Sequence, residues 1–373
     1  MADLDPTSVP PEYTKEGADW LAVFNPHVPR VMDVKLEAKF THDRVVCSVR
    51  FSNDGKYVAI GLDGEVRLYE VGSGSAHVLA LNYEGEPPTR NYVRAVAFSP
   101  DDSMVAAGTE DALVRIWSVS TKELIHTLQG HSREIYALEF IPGPSSSHYS
   151  LASSSGDRSI LVWSLTQSSS PSPTSTPLIV EEDLQSPNTV ITALAVSPDG
   201  KYIASGNLEG QIRLWSSHGP STADGVKDNN GREWKAVVRW QAHEEGVYSV
   251  RWASGNVRDV GIVTGSLDKT LKRWTLTLPD EGSSPKAECV KTMAGHKDFV
   301  LASATVQEGH NLRAASASRD GRVRLWDLKN GEMQFVVQGH RNAVTSVDLS
   351  RDGRMLLSGS GDGEARLWSY TIL

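Results

Sequence analysis

The stretch SASRDGRVRLWDL, Ser316 to Leu328, contains the pattern that decides the fold. An acidic residue is followed six positions later by an aromatic residue, which ends a short strand of alternating apolar and polar residues after a tight turn. The same pairing occurs seven times along the chain, at Asp63/Tyr69, Asp111/Trp117, Asp157/Trp163, Glu209/Trp215, Asp268/Trp274, Asp320/Trp326 and Asp362/Trp368. Such a recurrence indicates an array of small sheets, each of which must stack on its neighbours to bury its faces.

Turn and strand signals around these pairs extend the pattern to whole repeats of about 40 to 45 residues. Gly-His dipeptides open several of the repeats, at Gly130-His131, Gly295-His296 and Gly339-His340. A Gly-His opening with a closing Trp resembles the WD40 repeat, whose units form the blades of a closed ring. We therefore predict an all-β fold, a seven-bladed WD40 β-propeller that occupies residues 19–373 as one domain.

The seventh repeat has no outer strand of its own, because the sequence ends at Leu373 soon after Trp368. The segment VKLEAKF, Val34 to Phe40, stands just before His42, where the other repeats have an outer strand. We expect a blade-closing strand at about residues 34–41, which would join the two ends of the chain in one sheet. Closure of this kind removes the exposed strand edges that invite aggregation.

Four repeats carry a complete set of His, Ser or Thr, Asp and Trp, in which each polar group can satisfy the next inside the fold. The sets are His131/Ser153/Asp157/Trp163, His243/Thr264/Asp268/Trp274, His296/Ser316/Asp320/Trp326 and His340/Ser358/Asp362/Trp368. A Ser/His/Asp group also suggests a hydrolase, but its fourfold recurrence with a Trp at fixed spacing favours structural tetrads. The first, second and fourth repeats lack part of the set, so we expect them to depend more on packing and their part of the ring to open more easily.

Three segments differ in composition from the repeats. We expect residues 1–18 to form a flexible N-terminal linker, and residues 19–33 to form an arm that packs Trp20, Phe24 and Val31 on the side of the propeller. Ser/Pro-rich and Gly-containing polar stretches predict flexible insertions at about residues 166–188 and 217–232, because such stretches bury too little apolar surface to order themselves.

Composition excludes several classes of function. The net charge of −9 argues against direct DNA binding, because phosphate neutralisation needs clustered Lys and Arg. Two cysteines, Cys47 and Cys289, cannot form a disulfide framework, and the spacing of ligand residues predicts neither a metal site nor a cofactor. No apolar run approaches the roughly 18 residues of a membrane span, so we expect no membrane contact.

The narrow top face of the predicted ring is where function is expected. Positions three and five after each repeat histidine, and the residue before each repeat acid, point from this face. They include three tyrosines, several leucines and a cysteine, surrounded by Arg94, Glu110, Glu134 and Arg319. Tyrosines and aliphatic residues within a polar rim are typical of a protein-interaction surface. No base stands beside a nucleophile, so we expect no enzyme.

Stretches outside the repeat motif carry a more specific resemblance. DWLAVFNPHVPRVMDV, HDRVVCSVRFSNDGKYVA and GHKDFVLASAT are similar to the C-terminal propeller of the fungal Tup-type general transcriptional corepressors, which are Groucho/TLE-like. This resemblance implies a nuclear scaffold that binds short segments of sequence-specific DNA-binding repressors and a tetratricopeptide-repeat partner. It further implies contacts to histones and histone deacetylases. The matching repressor-binding positions are Cys47, Tyr92, Glu110, Tyr136, Tyr248, Leu301 and Asn342.

Two other classes share the predicted fold. A G-protein-β-like protein or a ubiquitin-ligase substrate receptor would be an adaptor of another complex, and would carry an amphipathic helix or an F-box-like segment before the ring. An enzyme would need a polar pocket in the central channel.

Overall fold

The computed structural model describes residue 4 and residues 9–81, 90–142, 148–166, 174–179, 190–217, 226–227, 233–253, 260–278, 285–309 and 311–373. Within these ranges the chain consists of β-strands and their turns, with a short 3-10 helix at Pro11–Tyr13. None of the described segments is a helix long and apolar enough to cross a membrane.

The strands are grouped into seven sheets, which we number as blades in chain order. Three strands precede the first blade: β1 Thr14–Glu16, β2 Leu21–Phe24 and β3 Met32–Thr41. Blade one contains β4 Ser48–Phe51, β5 Tyr57–Gly61, β6 Glu65–Glu70 and β7 Ala76–Ala80. Blade two contains β8 Val93–Phe98, β9 Met104–Thr109, β10 Leu113–Ser118 and β11 Leu124–Gln129. Blade three contains β12 Ile135–Ile141, β13 His148–Ser155, β14 Ser159–Thr166 and β15 Thr174–Ile179.

Blade four contains β16 Ile191–Val196, β17 Tyr202–Asn207, β18 Gln211–Ser216, β19 Val226–Lys227 and β20 Glu233–Gln241, and blade five contains β21 Val247–Trp252, β22 Val260–Ser266, β23 Thr270–Thr277 and β24 Lys286–Ala294. Blade six contains β25 Val300–Glu308, β26 Asn311–Ser318, β27 Arg322–Asp327 and β28 Glu332–Gln338. Blade seven contains β29 Val344–Leu349, β30 Met355–Ser360 and β31 Glu364–Ile372.

The first strand of each blade lies at the centre and contacts the first strand of the next blade. The contacts run from β4 to β8, β12, β16, β21, β25 and β29, and from β29 back to β4, so the ring is closed. Seven clusters of buried apolar side chains fill the spaces between successive blades, including the space between blades seven and one. This arrangement confirms the predicted all-β, seven-bladed propeller.

The residue after each repeat acid turns the chain with a positive φ. Glycine occupies this turn position in four blades, which explains why an acid followed by glycine recurs in the sequence, whereas blades two, three and five place other residues there. The seven residues are Gly64, Ala112, Arg158, Gly210, Lys269, Gly321 and Gly363.

The N-terminal region closes the ring as predicted. Strand β3 pairs antiparallel with β31 along its whole length and is the outer strand of blade seven. The arm before it is also part of a sheet, because β2 pairs with β28 at the edge of blade six. Phe24 is buried in that arm and the Trp20 ring lies 5.6 Å from the Trp368 ring, but Val31 is 42% exposed and does not pack as expected.

Two expectations about linkers need correction. Strand β1 pairs with β2 and makes blade six a six-stranded sheet, so residues 14–16 belong to the propeller rather than to a flexible linker over 1–18. Within the predicted insertion 166–188, β15 pairs with β14 and supplies the outer strand of blade three. Backbone pairing along a strand edge does not require an apolar sequence, which is why the Ser/Pro-rich composition hid this strand. Residues 167–173, 180–188, 218–225 and 228–232 of the two insertions lie outside the described residues.

Candidate functional site: the mouth of the central channel

A β-bulge recurs near the start of the central strands. In blades two to seven the pairing with the second strand skips one residue, and in blade one Cys47 and Ser48 both face Gly61. An unpaired bulge residue leaves the regular pleat, so the bulge changes where its side chain points. The bulge residues, which we call the mouth ring, are Cys47, Arg94, Tyr136, Thr192, Tyr248, Leu301 and Thr345.

The mouth ring surrounds a cavity of about 100 Å³ at the axis of the propeller. Four of the seven predicted repressor-binding residues line it, namely Cys47, Tyr136, Tyr248 and Leu301. All four are neither fully buried nor fully exposed, so each has apolar surface available to a ligand. The structure therefore brings these four side chains together.

Arg94 links the mouth ring to a fifth predicted residue, Glu110. The Arg94 Nε donates to Glu110 Oε1 at 3.0 Å, and its guanidinium carbon lies 5.3 Å from the centre of the Tyr136 ring. The Tyr136 hydroxyl donates to Glu134 Oε1 at 3.2 Å. Burial is the largest single influence and lowers the pKa of Arg94, but the charge and the hydrogen bonds of Glu110 act together in the opposite direction, and the net effect is a raised pKa. This polar cluster holds the Tyr136 ring at the cavity edge.

The chemistry of Cys47 suits contact rather than nucleophilic attack. Burial, with the nearby Glu110 and Asp63, raises the pKa of its thiol to about 12, although Arg94 acts in the opposite direction. A thiol with this pKa is neutral at pH 7, and the thiolate is the nucleophilic form. Cys47 thus presents a small apolar surface to the cavity.

The two remaining predicted residues lie outside the cavity lining. The backbone carbonyl of Tyr92 accepts the Glu110 N–H at 3.2 Å, which places Tyr92 beside the Arg94 cluster. Asn342 is exposed on the loop before β29, where its Oδ1 accepts the Ala343 N–H at 2.7 Å. A role for these two residues in binding stays a prediction.

Four charged side chains below the mouth ring were not predicted. Arg50, Glu139, Arg251 and Asp348 occupy the same position of their central strands, three residues after the bulge, and we call them the charged floor. Arg50 Nη2 lies 2.7 Å from Glu139 Oε2 and Arg50 Nη1 lies 3.9 Å from Asp348 Oδ1, so Arg50 joins blade one to blades three and seven. The other three blades have alanine at this repeat position, at residues 97, 195 and 304. The contrast between small apolar residues and four charged ones at the same position is the sequence signal that could have found the charged floor.

The four sets of His, Ser or Thr, Asp and Trp are each assembled into one hydrogen-bonded chain. In blade three, His131 Nδ1 lies 2.9 Å from Asp157 Oδ2, and His131 Nε2 lies 2.7 Å from Ser153 Oγ. The Trp163 Nε1 donates to that hydroxyl at 2.8 Å. The serine hydroxyl is therefore occupied by Trp163 and enclosed by the blade.

Blade five builds the same chain with threonine in place of serine. His243 Nδ1 lies 2.8 Å from Asp268 Oδ2, and His243 Nε2 lies 2.6 Å from Thr264 Oγ1. The Trp274 Nε1 donates to the Thr264 hydroxyl at 3.0 Å. Thr264 is fully buried and Trp274 is nearly so, which places both residues inside the propeller and not on its top face.

Blades six and seven repeat the arrangement with serine. The indole N–H groups of Trp326 and Trp368 donate to the hydroxyls of Ser316 and Ser358, at 2.9 Å and 3.1 Å. The bonds from the histidines to these hydroxyls and to the acids are between 2.7 and 3.2 Å long, and they involve His296, Asp320, His340 and Asp362. Trp326 is completely buried, so like Thr264 and Trp274 it offers a partner no surface. Enclosed hydroxyls of this kind also give a substrate no access.

One group of possible metal ligands occurs among the described residues: His340, Asp362 and Glu364, whose ligand atoms lie within 4.8 Å of one another. Asp362 and Ser358 occupy the two ring nitrogens of His340, and Glu364 is paired with Arg366 at 2.8 Å. These side chains already satisfy one another as part of the blade seven tetrad.

Comparison with known proteins agrees with the fold. The model of the WD domain, G-beta repeat matches residues 34–70, 80–118, 122–164, 181–216, 234–275, 287–327 and 331–369. The general transcriptional corepressor TUP1 of Saccharomyces cerevisiae is 33% identical over 99% of this chain and 57% of its own length. The transcriptional repressor rco-1 of Neurospora crassa is 35% identical over 100% of this chain and 58% of its own length.

More distant matches include the nuclear distribution protein nudF 1 of Talaromyces marneffei, 26% identical over 76% of this chain and 58% of its own length. The chain spans somewhat more than half the length of the two corepressor relatives. The resemblance to Tup-type corepressors is thereby confirmed over nearly all of its sequence. With seven matched repeats in seven blades, the chain belongs to the WD40 repeat family.

Proposed function

We propose that this propeller is the protein-interaction scaffold of a transcriptional corepressor, and that its mouth ring binds short segments of DNA-bound repressors. One observation carries the proposal. The bulges turn Tyr136, Tyr248 and Leu301 toward a single cavity, and the Arg94–Glu110 cluster forms a polar rim beside it. The names of the two corepressor relatives support the repressor as the class of partner.

The energetics of the mouth ring suit a short peptide. Tyrosine and leucine bury a large apolar area with few rotatable bonds, so they lose little conformational entropy when a partner covers them. A rim of paired charges can exclude water from the contacts at the centre. The proposal therefore places most of the binding free energy in the mouth ring.

The full role that we propose follows the resemblance to Tup-type corepressors. The protein would act in the nucleus without contacting DNA itself, and its other partners would be a tetratricopeptide-repeat protein, histones and histone deacetylases. We propose no catalytic step, because the neutral Cys47 thiol and the enclosed tetrad hydroxyls leave the cavity suited to binding.

The test replaces mouth-ring side chains one at a time, with Tyr136→Ala, Tyr248→Ala and Leu301→Ser. Truncating a central aromatic or aliphatic contact typically costs about 2 kcal/mol, so we expect roughly thirtyfold weaker binding of labelled peptides that tile sequence-specific repressors. Fluorescence anisotropy measures the affinity. Ile125→Ser is the matched control, because Ile125 is 42% exposed on an outer strand far along the blade from the channel.

Each variant must melt like the wild-type protein before its affinity is interpreted. Unchanged affinity for every peptide in all three mouth-ring variants would contradict the proposed site.

A further inference from the structure

The cavity inside the mouth ring has an unbalanced lining. Three arginines line it, Arg50, Arg94 and Arg251, and no carboxylate is among its lining residues, all of which lie in the described part of the chain. Arg94 is paired with Glu110, and Arg50 is paired with Glu139. Both of these carboxylates approach their arginine from outside the cavity lining. Arg251 is the arginine of the lining that has no paired carboxylate among the described residues.

The Arg251 guanidinium makes few bonds. Its Nη1 donates to the carbonyl oxygen of Val250 at 3.2 Å, and its Nε has no hydrogen-bond partner. Among the described residues it forms no ion pair with a carboxylate. The side chain is enclosed by protein and yet keeps partial exposure, since it borders the cavity.

Every charged group of the floor acts on Arg251. Burial has the largest effect, Arg50 adds repulsion, Glu139 and Asp348 oppose it, and together they lower the pKa of Arg251 to about 10. Glu139 is engaged by Arg50, and Asp348 accepts the Phe51 N–H at 2.9 Å. The floor's own carboxylates therefore leave the Arg251 charge only partly compensated.

We propose that Arg251 binds a carboxylate carried by the segment that occupies the mouth ring. The inference rests on the proposed function and adds the chemistry of the ligand. A guanidinium presents parallel N–H donors that match the two oxygens of a carboxylate. A buried cation without a carboxylate partner raises the free energy of the unbound protein, so an incoming anion offsets this penalty.

The charges of the floor favour a carboxylate over a phosphate group. Two arginines and two acids give the floor no net charge, so a group with two negative charges would be repelled by Glu139 and Asp348 once Arg251 is neutralised. A single negative charge is the better match. Tyr248 lines the same cavity from the strand that carries Arg251, so an apolar contact and an anion site lie on one strand.

The experiment selects peptides from a phage-displayed library of random twelve-residue sequences on the wild-type propeller and, in parallel, on Arg251→Gln. We expect Asp or Glu to be enriched at one position in the wild-type pool and not in the Arg251→Gln pool. The best wild-type peptide is then synthesised with the acid replaced by its amide, with an amidated C-terminus, and with both changes. These arms distinguish a side-chain carboxylate from a terminal one.

Fluorescence anisotropy on both proteins completes a double-mutant cycle. Neutralising the responsible carboxylate should weaken binding to the wild-type protein at least tenfold and to Arg251→Gln less than twofold. Arg351→Gln is the control for charge, because Arg351 is exposed on the turn at the other end of the central strand of blade seven. It should keep the wild-type preference for the acid. Thermal melts show whether Arg251→Gln folds, and Arg251→Lys supplies a second variant that keeps the charge but loses the paired donors.

The outcomes separate this inference from the proposed function. One outcome would overturn the carboxylate site and still support the mouth ring as the binding site. In that outcome Tyr136→Ala abolishes binding of the peptides, but replacing the peptide's acid by its amide changes the affinity equally for the wild-type protein and for Arg251→Gln. Peptides that require the acid on Arg251→Gln as well would also overturn it. A selection without any binder, or with binders indifferent to Tyr136→Ala, would contradict both proposals.

Discussion

Blades three, five, six and seven contain a complete hydrogen-bonded tetrad, whereas blades one and four lack one. In blade one, Val58 and Ile60 share the face of Tyr69 in place of a serine or threonine, and both ring nitrogens of His42 are buried without a hydrogen-bond partner among the described residues. In blade four, the buried Trp215 Nε1 has no acceptor. The same backbone framework therefore tolerates polar groups that are hydrogen-bonded in one blade and without a partner in another.

Blade two shows a third solution. This repeat has no histidine, and its acid is bound instead by Asn91, whose Nδ2 donates to Asp111 Oδ2 at 2.8 Å. Arg115 is buried and donates to the same carboxylate at 2.7 Å, and Asp111 also accepts from the Thr109 hydroxyl. A blade that lacks the histidine is thus not necessarily held by packing alone. The expectation that the second repeat depends on packing is wrong for this reason.

The largest loss of stability should come from removing the closing strand of blade seven, even though this blade has a complete tetrad. Deleting residues 1–41 strips blade seven of β3 and blade six of β1 and β2, which exposes two strand edges and the apolar side chains beneath them. We expect aggregation or loss of a cooperative thermal transition, measured by size-exclusion chromatography and calorimetry. Deleting residues 1–18 removes β1, the short 3-10 helix and the buried Leu4, but it leaves β2 and β3 in their sheets and should leave a cooperative fold. A cooperatively melting, monodisperse protein without residues 1–41 would refute closure by the N-terminal strand.

The next largest effect should distinguish one tetrad from another. Asp320 Oδ2 lies 3.0 Å from both His296 Nδ1 and Arg324 Nη1, and Arg324 is buried. Asp320→Ala leaves this buried cation without its carboxylate, so we expect the free energy of unfolding to fall by about 3 to 5 kcal/mol. Asp157→Ala affects no such cation, because Leu161 holds the position of Arg324, and should cost about 1 to 3 kcal/mol. Denaturant unfolding measures both. Equal losses would show that Arg324 does not depend on Asp320.

A dependence on pH should follow from the same blade. Burial, reinforced by the charge of Arg324, lowers the pKa of His296 to about 4, although Asp320 opposes the shift. The unfolded chain, with an ordinary pKa near 6.5, binds this proton first, so the stabilisation is complete above about pH 6.5 and is lost as the pH falls toward 4. The loss at this one site should reach about 3 kcal/mol. His296→Gln should flatten the fall in unfolding free energy between pH 6.5 and 5, and an equally steep fall in that variant would contradict the assignment.

Much of the architecture was predictable because it depends on local patterns. The spacing of acid and aromatic residues predicted the blades, and VKLEAKF before His42 predicted the closing strand. The four tetrad sets could be read from residue types at repeat positions, and the structure brings each set within hydrogen-bond distance. These features depend on the repeat period and on the residue type at each repeat position, and both can be read from a single sequence.

The remaining features depend on distances across the ring. Arg50 and Glu139 are far apart in sequence and meet only because the propeller closes, so their pairing leaves no local signal. Strand β15 was missed because backbone pairing at a sheet edge does not require the alternating apolar sequence by which a strand is recognised. The bulges that orient the mouth ring are likewise invisible in composition, although they recur at one repeat position.

The smallest expected effect comes from adding tetrad residue types to blade one. The strand register differs there, because Tyr69 pairs with Val58, whereas in blade three Trp163 pairs with Leu151, one position further away along the chain. Ala59 therefore packs between blades one and two, and Tyr69 packs between blades seven and one. Tyr69→Trp should destabilise the protein, because the new indole N–H has no acceptor there and the larger ring crowds Phe40. Ala59→Ser places its hydroxyl on the opposite face of the sheet, so the two substitutions should be additive within about 0.3 kcal/mol, measured by denaturant unfolding of the four proteins of the cycle. A coupling of about 1 kcal/mol would mean that the serine hydroxyl and the indole meet, and that the shifted register does not separate them.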